Sequence, residues 1–252
     1  MRKFIKVLLG LLVVCLVIVT FTAARGDGDV LGDLVRLPGE IAQALGAKDG
    51  ARRDGLPEVD ANSWQLKLVN KDHPLPETFT VTTAVTKDEY LFDSRAVSAL
   101  DAMLDAGKEA GMKLALTSAY RSWDYQTTLF ENKVATLMAD SGLGRAAAEQ
   151  EAGTEVARPG TSEHELGLAA DIVCDYYGIL DNGYADTPEA QWLDAHCAEY
   201  GFILRYPAGK SDITGIIYEP WHFRYVGVEA AKYIMGHGLC LEEFIGKLTG
   251  KS

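Results

Sequence analysis

The stretch "RPGTSEHELGLAADIV", residues 158–173, sets His164 between two glutamates and ends a run of small and apolar residues on Asp171. A buried acid is costly unless something positive meets it, and a metal ion would meet it. A catalytic zinc site takes three protein ligands, typically imidazole and carboxylate, and leaves a fourth position for water. His164, Asp171 and His222, the last in "YEPWHFRYVG", can supply that set. The same donors also accept other first-row divalent ions. Gly167 lets the backbone turn sharply just after the first ligand. On a strand Asp171 shares a face with Ala169 and Val173, neighbours that leave space for an ion.

Glu219 stands just ahead of His222. Metal-assisted peptide hydrolysis needs a base that takes a proton from water and returns it to the leaving amine, and Glu219 is placed for that task. The helical H-E-x-x-H arrangement is absent and Pro220 would sit badly in a helix, so a strand-borne site is expected. "TSAYRSWDYQ" adds Arg121 between a strand and a helix, where a guanidinium can hold a carboxylate by two parallel hydrogen bonds. A carboxypeptidase must recognise such a carboxylate. Ser118, Tyr120, Ser122 and Gln126 are polar candidates for the same cleft. His73 in a turn, His196 on a helix and His237 after a helix-ending glycine read as ordinary.

These residues need elements to position them. Apolar Val97, Leu100, Leu104 and Gly107 at helical spacing predict a helix over residues 94–110, and "KLALTS" a strand after it. A second helix starts near Trp123, with Asp124 helping to cap it, and runs to Ser141-Gly142; a third is "RAAAEQEA". Further along, strands are expected at 168–173, 202–206 and 216–225, with helices at 189–200 and 228–235. "WQLKLVNKDHPLP" has a strand-like start and then a turn over residues 72–76. Helices and strands are interspersed without a βαβ repeat. The fold class is therefore α+β: a single compact domain whose small antiparallel sheet carries the metal site, with flanking helices.

The chain has 252 residues, 48% of them hydrophobic and 24% charged, which suits one such domain plus an appendage. Its formal charge of -12, with no basic stripe, argues against nucleic acid as a partner. Arg2, Lys3 and Lys6 precede an uncharged run over residues 7–24, the pattern of a secretory signal or an N-terminal membrane anchor. The length of the run favours a retained anchor. Residues 1–24 are thus read as signal or anchor, 25–61 as a juxtamembrane linker and 62–252 as the catalytic domain. Cys174, Cys197 and Cys240 then face an oxidising compartment, either with two of them paired or as buried small hydrophobes.

The segments "SAYRS...Q", "SEHELGLAAD" and "EPWHFRYVG", with "LVNKDHPLP" and "YGFILRYP", closely resemble the zinc D-alanyl-D-alanine carboxypeptidases of the VanY type over roughly residues 64–248. The resemblance implies one Zn²⁺ per chain on His164, Asp171 and His222, with Glu219 as general base. It implies that Arg121 binds the substrate carboxylate and helps polarise the scissile carbonyl, with Ser162 a further contact in the family's S-x-H-x-x-G-x-A-x-D pattern. It also implies removal of the terminal D-alanine from peptidoglycan stem peptides outside the cytoplasm, by a protein expected to be monomeric and either anchored or secreted. A D-Ala-D-Ala dipeptidase, a wall endopeptidase and a non-catalytic zinc-containing wall-binding module are the alternatives. A serine mechanism is excluded by the missing S-x-x-K and K-T-G motifs.

Overall fold

The computed structural model describes residues 55–250; the expected signal or anchor, and the linker up to residue 54, lie outside them. Among the described residues no helix is long and apolar enough to cross a membrane. The folded unit takes in Leu56 and Val59, which join the apolar cluster of the C-terminal helices a little ahead of the boundary expected at residue 62.

A short antiparallel pair, β1 (Thr83–Val85) and β2 (Leu91–Asp93), precedes helix α1 (Val97–Glu109). Helix α1 buries Leu100, Met103, Leu104 and Gly107, one apolar stripe at helical spacing. Then come β3 (Leu114–Ser118), α2 (Trp123–Ser141), α3 (Arg145–Ala152) and β4 (Ala169–Cys174). The Ser122 side chain accepts from the Tyr125 N–H and caps α2, so the cap is Ser122 and Asp124 lies in the first turn. The rest of the chain forms α4 (Pro188–His196), β5 (Phe202–Leu204), α5 (Ser211–Thr214), β6 (His222–Tyr225), α6 (Val228–Gly236) and α7 (Leu241–Thr249).

The main sheet is antiparallel in the order β3-β4-β6-β5. Its central strand β4 is buried along its whole length. Ala170, Ile172 and Phe223 point one way into the main core with Leu100, Met103 and Phe202. Side chains alternate along a strand, so Asp171, His222 and Arg224 point the other way. The register pairs Asp171 directly with His222 and, across a shift after Leu116, with Ser118.

Several expectations are corrected. The strand-like start at Trp64 is a turn of 3₁₀ helix, Trp64–Leu66. The strand expected over 216–225 is confined to His222–Tyr225, because the turn at Glu219, where the His222 N–H reaches the Glu219 carbonyl at 3.2 Å, and Pro220, which has no N–H, stop the ladder. The helix expected over 189–200 ends at His196 and tightens into a 3₁₀ turn, Cys197–Tyr200. Cys174, Cys197 and Cys240 are all free and buried, which leaves the reading of small hydrophobes. Helix α7 and the β1–β2 pair were not foreseen.

Gly167 makes the turn between the loop of His164 and strand β4. Its φ is +78°, and a Cβ there would lie 3.3 Å from Val81 Cγ1 and 3.4 Å from the Asp93 backbone nitrogen. A side chain in the left-handed region costs about 1–2 kcal/mol. Gly167→Ala is therefore expected to destabilise the domain by about that amount, read as a lower urea midpoint; an unchanged midpoint would contradict the assigned constraint.

Candidate active site and metal centre

The site is assembled from the face of the sheet away from the main core and the loops at its edge. His164 comes from the loop before β4, where its carbonyl accepts from the Gly167 N–H at 3.0 Å and the Arg121 N–H at 3.2 Å. One backbone oxygen thus ties the His164 loop to the segment that carries Arg121. The His164 ring donates Nδ1–H to the Ala119 carbonyl at 2.6 Å, which turns Nε2 toward Asp171 Oδ2, 3.2 Å away. On the far side, His222 Nδ1 lies 3.2 Å from Asp171 Oδ1. The two rings meet edge to face with centroids 4.9 Å apart.

These three residues fit a metal ion. One donor atom from each lies within 4.8 Å of the other two, close to the span of ligands that bond one zinc at about 2 Å. Asp171 Oδ1 is buried and has no hydrogen-bond partner, an acceptor that a cation would satisfy. Burial and the nearby Arg121 charge push His164 down to about 4, so its ring is a neutral donor. Burial alone would raise Asp171, but the His164 and His222 rings and Arg121 hold it well below the usual carboxylate range. At His222 burial works downward, yet the Asp171 and Glu163 carboxylates outweigh it and bring the ring up to about 9.

Glu219 is buried, and its Oε2 lies 3.5 Å from His222 Nδ1. It stands on the turn before β6, its N–H bonded to the Tyr206 carbonyl at 3.1 Å, so the acid expected on a strand is held just outside one. Burial pushes its carboxyl up to about 8, with His222 and Arg121 opposing and Asp171 adding to the rise. Arg121 reaches in from the other edge: Nη2 donates to Asp171 Oδ2 at 2.5 Å, Nε to Ser118 Oγ at 2.9 Å and Nη1 to Gln126 Oε1 at 3.4 Å.

His164, Asp171, His222, Glu219, Arg121 and Ser162 all line one cavity of about 300 Å³. Four other candidates do not, one of them Ser122, whose side chain caps α2. Ser118 and Gln126 stand behind Arg121, with Gln126 fully buried and donating to the Ala157 carbonyl at 2.7 Å. Tyr120 lines a separate small hollow beside Trp123 and Glu165. The cavity walls add residues that the sequence reading passed over: Tyr206, whose ring lies 4.8 Å from that of His222, and Trp221, Glu155, Val156 and Ile217.

Beneath the cavity lies a charge cluster that was also missed. Glu163 is fully buried and accepts from Arg205 Nε at 2.8 Å and Arg224 Nη1 at 2.5 Å. Burial would raise its carboxyl, but the two guanidinium charges prevail and hold it well below the usual range. Arg205 in turn makes a two-bond pair with Glu242 of α7, at 2.6 and 2.9 Å. Strand parity in "HFRY" places Arg224 on the face of His222, and that was the available signal.

A buried His-Asp-His tripod with an acid beside it and an arginine across an open cavity, on an antiparallel sheet of an α+β domain, defines a metal-dependent hydrolase. The chain belongs to the VanY family of D-alanyl-D-alanine carboxypeptidases, whose family model matches residues 89–228. It is 42% identical over 186 residues to a D-alanyl-D-alanine carboxypeptidase of Enterococcus faecalis, covering 74% of this chain and 67% of that one. Among solved structures, a mutant of the vancomycin-resistance D,D-pentapeptidase VanY in complex with Zn(II) is 40% identical with a TM-score of 0.65. That match covers 73% of this chain and 99% of the other. The LD-carboxypeptidase LdcB is 37% identical with a TM-score of 0.65, covering 78% and 92%. The chain is thus a zinc-dependent carboxypeptidase.

Metal analysis of the purified protein is expected to find one zinc per chain. His164→Ala is expected to lower that content to near zero while circular dichroism stays unchanged, and full zinc retention in this variant would remove His164 from the ligand set.

Proposed function

We propose that this chain removes the C-terminal D-alanine from peptidoglycan stem peptides outside the cytoplasm, using zinc held by His164, Asp171 and His222. One observation carries the reading: a candidate base, a candidate carboxylate receptor and the metal tripod open into the same cavity. Its volume, about 300 Å³, lies at the small end of the range for ligand pockets and suits a short peptide end.

In this reading Arg121 receives the terminal carboxylate. Three of its five N–H groups are engaged by Ser118, Gln126 and Asp171. The remaining two suffice for a two-bond grip. Ser118 and Gln126 act by holding the guanidinium, Tyr120 lies on its far side, and Ser162 borders the substrate. When bound, zinc supplies Lewis acidity to the scissile carbonyl and to water. Glu219 Oε2 accepts a proton as the water oxygen bonds to the carbonyl carbon. It returns that proton to the amine nitrogen as the C–N bond breaks and D-alanine departs. A carboxyl raised toward neutrality can make both transfers.

The apolar N-terminal run supports action outside the cytoplasm, with the protein either anchored or secreted, and we read it as a monomer. Peptide ends of both D,D and L,D type fall within the proposal, since the VanY and LdcB relatives bear those two names. Mass spectrometry of pentapeptide and tetrapeptide stems incubated with the protein, with and without a chelator, separates the two. Loss of one alanine from either peptide, abolished by the chelator, is the expected result; intact peptides after incubation with zinc-loaded protein would refute the proposed activity.

Two variants test the residue roles. Glu219→Gln is expected to lower kcat by about 10²–10⁴-fold with its zinc retained, and wild-type turnover would exclude it as the base. Arg121→Ala is expected to reduce kcat/KM on free-acid peptides far more than on amidated ones. Equal losses on both would remove Arg121 from carboxylate recognition.

A further inference from the structure

Glu163 does not line the cavity, yet it directly precedes a metal ligand and is fully buried. Its two oxygens are used unequally. Oε1 accepts from both Arg205 and Arg224, whereas Oε2 has no hydrogen-bond partner. Across from it, His222 Nε2 is likewise buried and without a partner, and the two atoms face each other at 3.8 Å. A small tilt of the ring would bring these two buried polar atoms of complementary type within hydrogen-bonding distance.

The direction of that bond is dictated by charge. A carboxylate oxygen only accepts, so a bare Nε2 would set a lone pair against an anion. A proton on Nε2 turns the repulsion into a bond and leaves the Nδ1 lone pair free. Nδ1 is the nitrogen that faces Asp171 Oδ1 at 3.2 Å. His164 has the opposite arrangement, with Nδ1–H given to the Ala119 carbonyl and Nε2 turned inward.

We infer that Glu163 is the positioning residue of the metal centre: it fixes the tautomer and orientation of His222 so that Nδ1 is the donor presented to the metal. The arginines hold the carboxylate in place. Arg224 is further bound to the Gln65 and Lys67 carbonyls at 3.0 and 2.9 Å, and Arg205 to Glu242 of α7, which Asn70 also contacts at 3.0 Å. The C-terminal helix is thereby connected to a metal ligand through Glu242, Arg205 and Glu163, which gives a charged chain inside the fold a role in the site. This inference rests on the reading that His164, Asp171 and His222 hold zinc.

The test uses the full chain, loaded with zinc and labelled with ¹⁵N-histidine. Long-range ¹H–¹⁵N spectra are expected to show His222 protonated at Nε2 and metal-bound at Nδ1, with His164 the reverse. A His222 protonated at Nδ1 would overturn the inference, and this readout needs no variant. In parallel, Glu163→Gln replaces an obligate acceptor with an amide that can also donate, so the tautomer is no longer dictated. Competition with a chromophoric chelator is expected to show about 10–100-fold weaker zinc binding in that variant, and a folded variant within threefold of wild type would count against the inference. If Glu163→Gln fails to fold, the wild-type spectra decide alone. Failure of the wild-type chain to take up zinc would instead sink the metal reading, and this inference with it.

Discussion

The site depends on the register between β4 and β6. Asp171 and His222 are direct partners across an antiparallel pair, and both side chains leave the sheet on the face away from the main core. A slip of one residue would turn either side chain to the opposite face. Ala170 and Ile172 on β4 and Phe223 on β6 prevent it, because a slip of either strand would carry its fully buried apolar groups out of the core. The hydrophobic pattern of the strands therefore sets the spacing of two of the three candidate metal ligands. The third, His164, needs the left-handed turn at Gly167 to come back over the sheet.

The second constraint is electrostatic. The chain is acidic, yet the acids that matter lie in the interior: Glu163, Asp171 and Glu219 are buried near one another, with Arg121, Arg205 and Arg224 among them. Removing a carboxylate from water costs several kcal/mol, which Coulomb attraction recovers only where geometry is good and remaining lone pairs are bonded. At Glu163 two guanidinium groups bind one oxygen, their charge outweighs burial, and the carboxyl stays low. At Glu219 burial prevails over the opposing His222 ring, 3.5 Å away, and the carboxyl rises toward neutrality. Two acids in one site thus acquire opposite properties from their surroundings. That difference suits one to hold a charge permanently and the other to exchange a proton.

Legibility in the sequence followed the range of the interactions. Helix α1 announced itself by its apolar spacing and α3 was bounded to the residue, since local periodicity carries that information. The tripod, Glu219 and Arg121 were legible as motifs, because each sits in a short segment of characteristic composition. The extended run expected before His222 failed because aromatic alternation resembles a strand while Pro220 and the turn at Glu219 end the ladder. Glu163 was passed over although it adjoins His164: its partners Arg205, Arg224 and, through Arg205, Glu242 come from distant segments that only the sheet and α7 bring together. Ser118 and Gln126 were seen as polar cleft residues, whereas the fold sets them behind Arg121. Composition marks which residues can do chemistry, but which rank they occupy around the site is decided by tertiary packing.

Asp171 links the two halves of the proposed reaction. One of its oxygens, Oδ1, faces His222 and lacks a hydrogen-bond partner, while Oδ2 is shared by His164 Nε2 at 3.2 Å and Arg121 Nη2 at 2.5 Å. The arginine proposed to receive the substrate carboxylate is therefore fastened to a candidate metal ligand and to the rigid sheet through Ser118, which pairs with Asp171 in the β3–β4 register. Sites borne by packed strands hold their geometry more closely than sites borne by loops alone. On the proposed roles, the end of a peptide held by Arg121 is measured from the metal centre itself, over a span fixed by one carboxylate. An enzyme that takes a single residue from a chain end needs such a ruler, whereas an endopeptidase gains nothing from it.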